Sequence, residues 1–303
     1  MISIYCSEKL DGVAGAAIVM RHATLNKLPT HFGGFLHLDA LEDELEDMAK
    51  REHQLIFVID VSITPDHIPL LEKVNKKNKI VYWNTHDEES VVPPSKLFDK
   101  SQGNKCSAEL AQQRFLPNDI IAKKLAELAH EVKFWQIQDE HAAKLSDLIT
   151  AQYNPVELID ALSRGVIWNE HFEKFYTNHL EKKNIAYEEL IKSLTVKSYV
   201  NYRFGFAYSS PILNTADACQ KILDGHAGVD VAVVLYRDGR IGLRRRDNCD
   251  VNVKKLAELF NGGGKPFAAG ARLKVQITKE TLPETLFHID EAFKNFFVGI
   301  PVP

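Results

Sequence analysis

The stretch ISIYCSEKLDGVAGAA, Ile2–Ala17, joins a short apolar strand to a polar turn and then to the small-residue start of a helix. Two more apolar runs follow, QLIFVID at 54–60 and KIVYW at 79–83, and helical patterns separate the three runs. Strands that alternate with helices pair in parallel, because each helix carries the chain back across the sheet. The sequence therefore predicts an α/β fold that begins with a doubly wound, mostly parallel sheet.

The remainder of the chain divides into a helical region and a second region rich in strands. Helical patterns run from about residue 106 to about 190, and then VDVAVVLY and RIGLRRR flank the turn Arg237-Asp238-Gly239 as a β-hairpin. We predict a first domain at 1–150 and a helical connector at 151–190. A smaller C-terminal α/β domain with a mixed sheet is predicted at 191–303.

Composition limits the classes of protein to which the chain can belong. The 303 residues carry a net charge of -4, which gives no reason to expect strong non-specific binding to nucleic acid. The four cysteines include no CxxC pair, so neither a structural zinc site nor a disulfide framework is expected. The chain has no leader pattern and no run of about 18 apolar residues. We therefore expect a cytoplasmic protein without a membrane partner.

Polar clusters follow the three predicted parallel strands and would meet at one edge of the sheet. They contain Asp11, Asp60 and His86. Carboxylates and an imidazole at converging strand ends suit a divalent cation of the Mn²⁺ or Mg²⁺ class, which would activate water. The alternative is that each residue only caps a helix or lies in a solvated loop, and for any one of them alone this is the more common case.

The segment NGGGKPFAAG, 261–270, and a preceding run of arginines form a second candidate site. Gly262, Gly263 and Gly264 would let backbone N–H groups converge on an anion, and Lys265 would add a positive charge. Arg244 begins a run of three arginines that could bind phosphate. A tight turn and a solvated basic face are the structural alternatives.

The order of these segments resembles the DHH phosphoesterase family, including its C-terminal DHH-associated domain, over nearly the whole chain. The resemblance is strongest for VDVAVVLYRDGRIGLRRRDNCDVNVKKLAELFNGGGKPFAAGARL at 229–273, which is similar to the family's hairpin, arginine, helix and GGGHxxAAG signature. Lys265 stands where the family usually has histidine. The segment FAYSSPIL, 206–213, resembles the opening of that domain.

The family's first motif, HxDxDG, is SEKLDG in this chain. Ser7 replaces the histidine and Lys9 the first aspartate, whereas Asp11 is retained. Asp60 matches the aspartate of the second motif, and in the third motif His86 matches the last or the middle member, depending on the register. A further aspartate is expected near LAHEVKFWQIQDEH, 128–141, where the nearest acids are at positions 131 and 139.

These departures imply that one of the family's two metal positions is lost. The resemblance leaves one Mn²⁺ or Mg²⁺ on Asp11, Asp60 and His86, or no metal at all. Lys9 would place an ammonium at the lost position, where it can pair with Asp60 or with a substrate phosphate. An ammonium beside Asp60 favours a metal-free site, whereas an outward Lys9 leaves the site open.

Three functions remain open at this point. The resemblance favours binding of a nucleotide or short single-stranded oligonucleotide in a cleft between the domains, with hydrolysis absent or weakened. In that case Arg244 and the glycine segment would hold phosphates. The alternatives are an active single-metal phosphodiesterase or exonuclease on short oligonucleotides or cyclic dinucleotides, and a non-catalytic scaffold in a nucleic-acid-processing complex. A protein partner or a homodimer is compatible with each.

Overall fold

The computed structural model describes residues 1–37, 40–84, 97–100 and 105–299. The chain divides into two compact units, Met1–Thr177 and Asn178–Pro303. The boundary lies within a long helix, so one helix contributes residues to both units. His86, predicted as a metal ligand, lies outside the described residues.

The first unit alternates strands with helices. Its described elements are β1 (Ile2–Cys6), α1 (Leu10–Leu25), β2 (Thr30–Phe35), α2 (Leu41–Lys50), β3 (Leu55–Ile59), α3 (Ile68–Lys77), β4 (Lys79–Asn84), β5 (Leu97–Lys100), α4 (Ser107–Phe115), α5 (Ile120–Lys133), α6 (Glu140–Thr150), α7 (Pro155–Ser163) and α8 (Glu170–Lys192), which crosses the boundary. A 3₁₀ turn, Pro65–His67, precedes α3.

The strands of the first unit form one sheet in the order β2-β1-β3-β4-β5, and each neighbouring pair is parallel. This arrangement confirms the predicted doubly wound parallel sheet. Cys6 at the end of β1 pairs with Ile59 at the end of β3, and Ile59 pairs with Trp83 of β4. The carboxyl ends of these three strands are therefore level, and residues that follow them share one edge of the sheet.

Small residues allow α1 to pack closely against the end of the sheet. A Cβ atom on Gly15 would lie 2.8 Å from Cγ2 of Ile59, and one on Gly12 would lie 2.6 Å from the carbonyl oxygen of Ser7. Both distances are too short for a real Cβ contact, so any larger residue would push the helix away. The segment LDGVAGAA thus places the first turn of α1 directly beside the ends of β1 and β3.

The second unit contains a mixed sheet in the order β10-β11-β9-β8-β7-β6, in which only the β7–β8 pair is parallel among the described pairs. This confirms the predicted smaller α/β domain. Across the described residues of both units, no helix combines the length and apolar character needed to cross a membrane. The elements are β6 (Thr195–Tyr199), β7 (Tyr202–Ser209), α9 (Thr215–Gly225), β8 (Val231–Tyr236), β9 (Arg240–Arg245), α10 (Val253–Glu258), β10 (Gly263–Lys265), β11 (Ala268–Arg272) and α11 (Leu282–Val298).

Candidate functional site

Asp60 follows β3 directly and is 1% exposed. Its backbone N–H donates to the carbonyl oxygen of Trp83 at 2.9 Å, which extends the pairing of β3 with β4. The hydroxyl of Ser7, the first residue after β1, donates to Oδ2 of Asp60 at 2.6 Å. Asp60 has a φ of 56°, a conformation that is uncommon outside glycine and often occurs at functional sites. The ends of two adjacent strands therefore hold this carboxylate in one orientation.

Asp11 lies in the first turn of α1 and is 3% exposed. Its Oδ1 accepts a hydrogen bond of 2.8 Å from the backbone N–H of Ala108, in the first turn of α4. An acidic side chain at a helix N-terminus is stabilised by the unpaired N–H groups there. Oδ2 of Asp11 has no hydrogen bond among the described residues. That oxygen instead forms an ion pair with the ammonium group of Lys133.

Lys133, the last residue of α5, provides a cation shared by the two buried carboxylates. Its Nζ lies 2.8 Å from Oδ1 of Asp60 and 3.4 Å from Oδ2 of Asp11. The Lys133 side chain is only 18% exposed. The shorter contact is a hydrogen-bonded ion pair, and the longer one is an ion pair without hydrogen-bond geometry. An ammonium thus lies against both acidic side chains at the edge of the sheet.

The charges of the three side chains depend on one another. Burial raises the pKa of Asp11 to about 6, the Asp60 carboxylate raises it as well, and Lys133 acts in the opposite direction. Burial alone would lower the pKa of Lys133, but Asp60 and Asp11 together raise it above its ordinary value. Lys133 is therefore protonated at neutral pH, and it is the counter-ion of the acidic pair.

The arrangement does not fit a divalent cation while Lys133 is in place. Within the described residues, no group of three or more His, Cys, Asp or Glu side chains converges as metal ligands would. One carboxylate oxygen of Asp60 accepts a hydrogen bond from Nζ of Lys133, and the other accepts one from the hydroxyl of Ser7. A metal between Asp11 and Asp60 would have to displace the ammonium, which repels it. The described chemistry is that of an internal ion pair.

Lys9 does not supply the ammonium that contacts Asp60. It is the N-cap residue of α1, its side chain is exposed, and no ion pair joins it to an acid in the described parts of the chain. The physical reason is the turn after β1, which directs Ser7 inward and leaves Lys9 at the surface. A role for Lys9 toward a substrate phosphate stays a prediction.

The acids near the position where the resemblance placed a further aspartate have structural roles. The Glu131 carboxylate accepts hydrogen bonds of 2.7 and 2.8 Å from the backbone N–H groups of Gln138 and Asp139. Asp139 caps α6, and its other oxygen pairs with Lys124 at 2.6 Å. The residue of this region that reaches the strand ends is Lys133. Lys133 follows the buried Ala129 by four residues and therefore lies on the same, buried face of α5. That spacing is the sequence feature that could have indicated it.

In the second unit, the three consecutive arginines have different environments. Arg245 donates to the backbone carbonyls of Arg246, Asp247 and Cys249, and Arg246 donates to those of Val229, Leu223 and His226. These two guanidinium groups support the fold. Arg244 and its two neighbours also line a cavity of about 410 Å³, together with Gln220, Leu223, Ala227, Asp247 and Asn248. A cavity of this size can admit a small anionic ligand.

The glycine segment folds as the β10–β11 hairpin. A Cβ on Gly262 would lie 2.2 Å from the carbonyl oxygen of Gly270, and Gly264 has a φ of 138°. Close packing and backbone conformation therefore account for these two glycines. Gly263 differs, because a Cβ there would meet no atom within 4 Å. Lys265 is exposed at the end of β10. Of the four residues predicted to bind phosphate here, Gly263 and Lys265 show no such structural requirement.

Comparison with known proteins identifies the C-terminal domain. Residues 203–295 match the DHHA1 domain family model. No curated protein sequence matches the chain. The second unit therefore carries a DHHA1 domain. This assignment confirms the resemblance stated from the sequence.

Three solved structures show the fold of this DHHA1-containing chain. RecJ in complex with Mn²⁺ from Thermus thermophilus is 12% identical with a TM-score of 0.66, covering all of this chain and 52% of that one. Exonuclease RecJ bound to manganese has the same identity and TM-score, covering 99% of this chain and 90% of the other. PggH, a pGpG-specific phosphodiesterase from Vibrio cholerae, is 11% identical with a TM-score of 0.58 and covers 96% and 99%. The chain thus spans about half the length of the Thermus protein.

Proposed function

We propose that this DHHA1-containing protein binds a nucleotide or a short single-stranded oligonucleotide without metal-dependent hydrolysis. The observation that carries the proposal is the Lys133 ammonium, which lies 2.8 Å from Asp60 and 3.4 Å from Asp11. A divalent cation in two-metal hydrolysis lowers the pKa of water and stabilises charge on the attacking and leaving oxygens. An ammonium offers hydrogen bonds and a single charge, but it does not ionise water. Lys133 therefore supports recognition over bond cleavage.

The ligand class is proposed from the comparisons and from the second unit. Two of the similar solved structures are RecJ proteins bound to manganese, one of them described as an exonuclease, and the third is a pGpG-specific phosphodiesterase. Arg244 in the 410 Å³ cavity and exposed Lys265 are cationic groups suited to phosphate. An anionic ligand with several phosphates would gain from both, although the protein as a whole is acidic.

The test measures binding and turnover on the same samples. Fluorescently labelled pGpG and a five-nucleotide single strand are titrated with the protein in EDTA and again in Mn²⁺, and both are analysed for cleavage. We expect equal affinity in the two buffers and no Mn²⁺-dependent cleavage beyond that of the Asp60→Asn variant. Cleavage that requires Mn²⁺ and Asp60 would instead support the single-metal phosphodiesterase. Absence of binding in both buffers would overturn the proposed function.

A further inference from the structure

A cavity of about 670 Å³ lies at the amino ends of the parallel strands of the first unit. Residues at the starts of β1, β3 and β4 line it, together with the connections that precede β2, β3 and β4. Asp11 and Asp60 follow the carboxyl ends of β1 and β3, so the cavity lies at the other edge of the sheet. Its volume is within the range of sites that take small organic ligands. It is therefore a candidate site separate from the acidic pair.

Hydrogen bonds between neighbouring chain segments hold this cavity in shape. The backbone N–H of Ile2 donates to the carbonyl oxygen of Pro29 at 2.9 Å, and that of Lys79 donates to the carbonyl oxygen of Gln54 at 2.9 Å. Asn78 is buried, and its side-chain oxygen accepts a hydrogen bond of 3.0 Å from the backbone N–H of Gln54. The cavity is thus formed without a ligand, and little conformational freedom is lost when one binds.

One side of the cavity is basic. It contains His53 and the lysines at positions 76, 77 and 79, and none of the described residues that line the cavity is Asp or Glu. Nζ of Lys77 lies 2.6 Å from a carboxylate oxygen of Glu52, outside the lining. Lys76 and Lys79 are exposed and form no ion pair within the described parts of the chain. In a protein with a net charge of -4, this local concentration of positive charge favours an anionic ligand.

The other side of the cavity is apolar. Ile2 pairs with Leu55, and Leu55 pairs with Lys79, so these three residues form one row across β1, β3 and β4. Two strand spacings therefore place Ile2 about 10 Å from Lys79. Leu28 and Pro29 precede β2, which lies on the far side of β1 from β3. The apolar and basic residues thus lie at opposite ends of the cavity.

The fold accounts for only part of this lining. Lys76 and Lys77 lie in the last turn of α3, where the helix dipole stabilises a positive charge. Lys79 begins β4 and has no such role. Leu28 is 44% exposed, so much of its apolar surface stays in contact with water. An exposed leucine at one end and an unpaired lysine at the other are both explained by a ligand that contacts the two.

We propose that this cavity binds an amphiphilic organic anion, with its charged head group at Lys76 and Lys79 and its apolar body against Leu28 and Ile2. A neutral apolar ligand would leave the two ammonium groups without a counter-ion, and a small anion would leave the apolar end in water. A ligand with both parts gains from removal of apolar surface from water and from charge-assisted hydrogen bonds. The proposal goes beyond the proposed nucleotide function and does not depend on it.

Calorimetric titration of the full chain with three ligands tests the proposal. Decanoate has an anionic head and an apolar chain, acetate has only the head, and decyltrimethylammonium has the chain with a cationic head; all are used below micellar concentrations. We expect decanoate to bind at least about tenfold more tightly than either of the others, because it alone gains from both ends of the cavity. Lys76→Gln/Lys79→Gln should weaken decanoate binding at least about tenfold. Lys73→Gln, the matched control at an exposed position of α3 outside the lining, should leave the affinity unchanged.

Leu28→Ser tests the apolar end separately and should weaken binding of decanoate but not of acetate. The substituted side chains are exposed, so the melting temperatures of all variants should stay close to that of the wild type. Failure of the wild type to bind decanoate would overturn the proposal, and so would equal affinity for decanoate and either other ligand. Decanoate affinity that survives Lys76→Gln/Lys79→Gln would also overturn it. Each of these results leaves the proposed nucleotide function standing, because that function rests on other residues.

Discussion

Replacing Lys133 with Met removes the ammonium from Asp60 and Asp11 and keeps most of the apolar stem. The two carboxylates, 1% and 3% exposed, then lose their shared counter-ion. Removing one partner of a buried ion pair costs about 3–5 kcal/mol, because the remaining charge stays buried without compensation. Since the Lys133 side chain keeps 18% exposure, we expect the lower end, about 3 kcal/mol at pH 8.

The loss of folding stability in Lys133→Met should increase with pH. The pKa of Asp11 is raised by burial and by Asp60, so protonation of Asp11 favours the folded state as pH falls through about 6. Removal of Lys133, which lowers that pKa, raises it further in the variant. The deficit of Lys133→Met should therefore be largest at pH 8 and distinctly smaller at pH 5, where protonation of the acidic pair replaces the missing charge.

Urea unfolding followed by circular dichroism at pH 8 and pH 5 measures both quantities. Lys124→Met is the matched control, because Lys124 lies on the same helix and forms a 2.6 Å ion pair with Asp139 whose side chains are 41% and 22% exposed. Such a partly exposed pair contributes about 0.2–1 kcal/mol. Equal losses of stability in the two variants would refute this reasoning, and so would a deficit of Lys133→Met that is the same at both pH values.

Two further predictions concern the second unit. Gly264→Ala should lower the melting temperature, since Gly264 has a φ of 138° and the new Cβ would lie 2.6 Å from Cα of Ala269, whereas Gly263→Ala should leave it unchanged because its Cβ meets open space. Equal melting temperatures for the two variants would contradict that explanation. Combined replacement of Arg244 and Lys265 by Ala should weaken pGpG affinity at least about tenfold in a direct binding assay, because two charge-assisted contacts are lost. Unchanged affinity would remove both residues from the ligand site.

The parallel sheet could be predicted because β1, β3 and β4 are apolar runs separated by helical patterns. The strand β2 gave no such signal, since its sequence THFGGF contains two glycines, which weaken strands and resemble a turn. In the structure, a Cβ on Gly33 would lie 2.4 Å from the ring of Tyr5. Glycine there serves a close approach between neighbouring strands, and only the fold makes that visible.

The acidic part of the candidate site was accessible to sequence reasoning, whereas its counter-ion was not. Asp11 and Asp60 follow strands that pair side by side, so their proximity follows from topology. Lys133 is 73 residues beyond Asp60 in the chain and reaches it through the packing of α5. Lys9 was the nearer cation in sequence, but it caps α1 at the surface. Long-range packing of a helix end, rather than any local motif, determines which lysine meets the acids.

Mn²⁺ titration by calorimetry at pH 7.5 tests most directly the claim that Lys133 occupies the place of a metal. We predict that the wild type and Asp60→Asn give the same heats, with no site lost on removal of the Asp60 carboxylate. Lys133→Ala should gain about one Mn²⁺ per chain, a site that disappears in the Lys133→Ala/Asp60→Asn double variant. One Mn²⁺ bound to the wild type and lost in Asp60→Asn would contradict the claim.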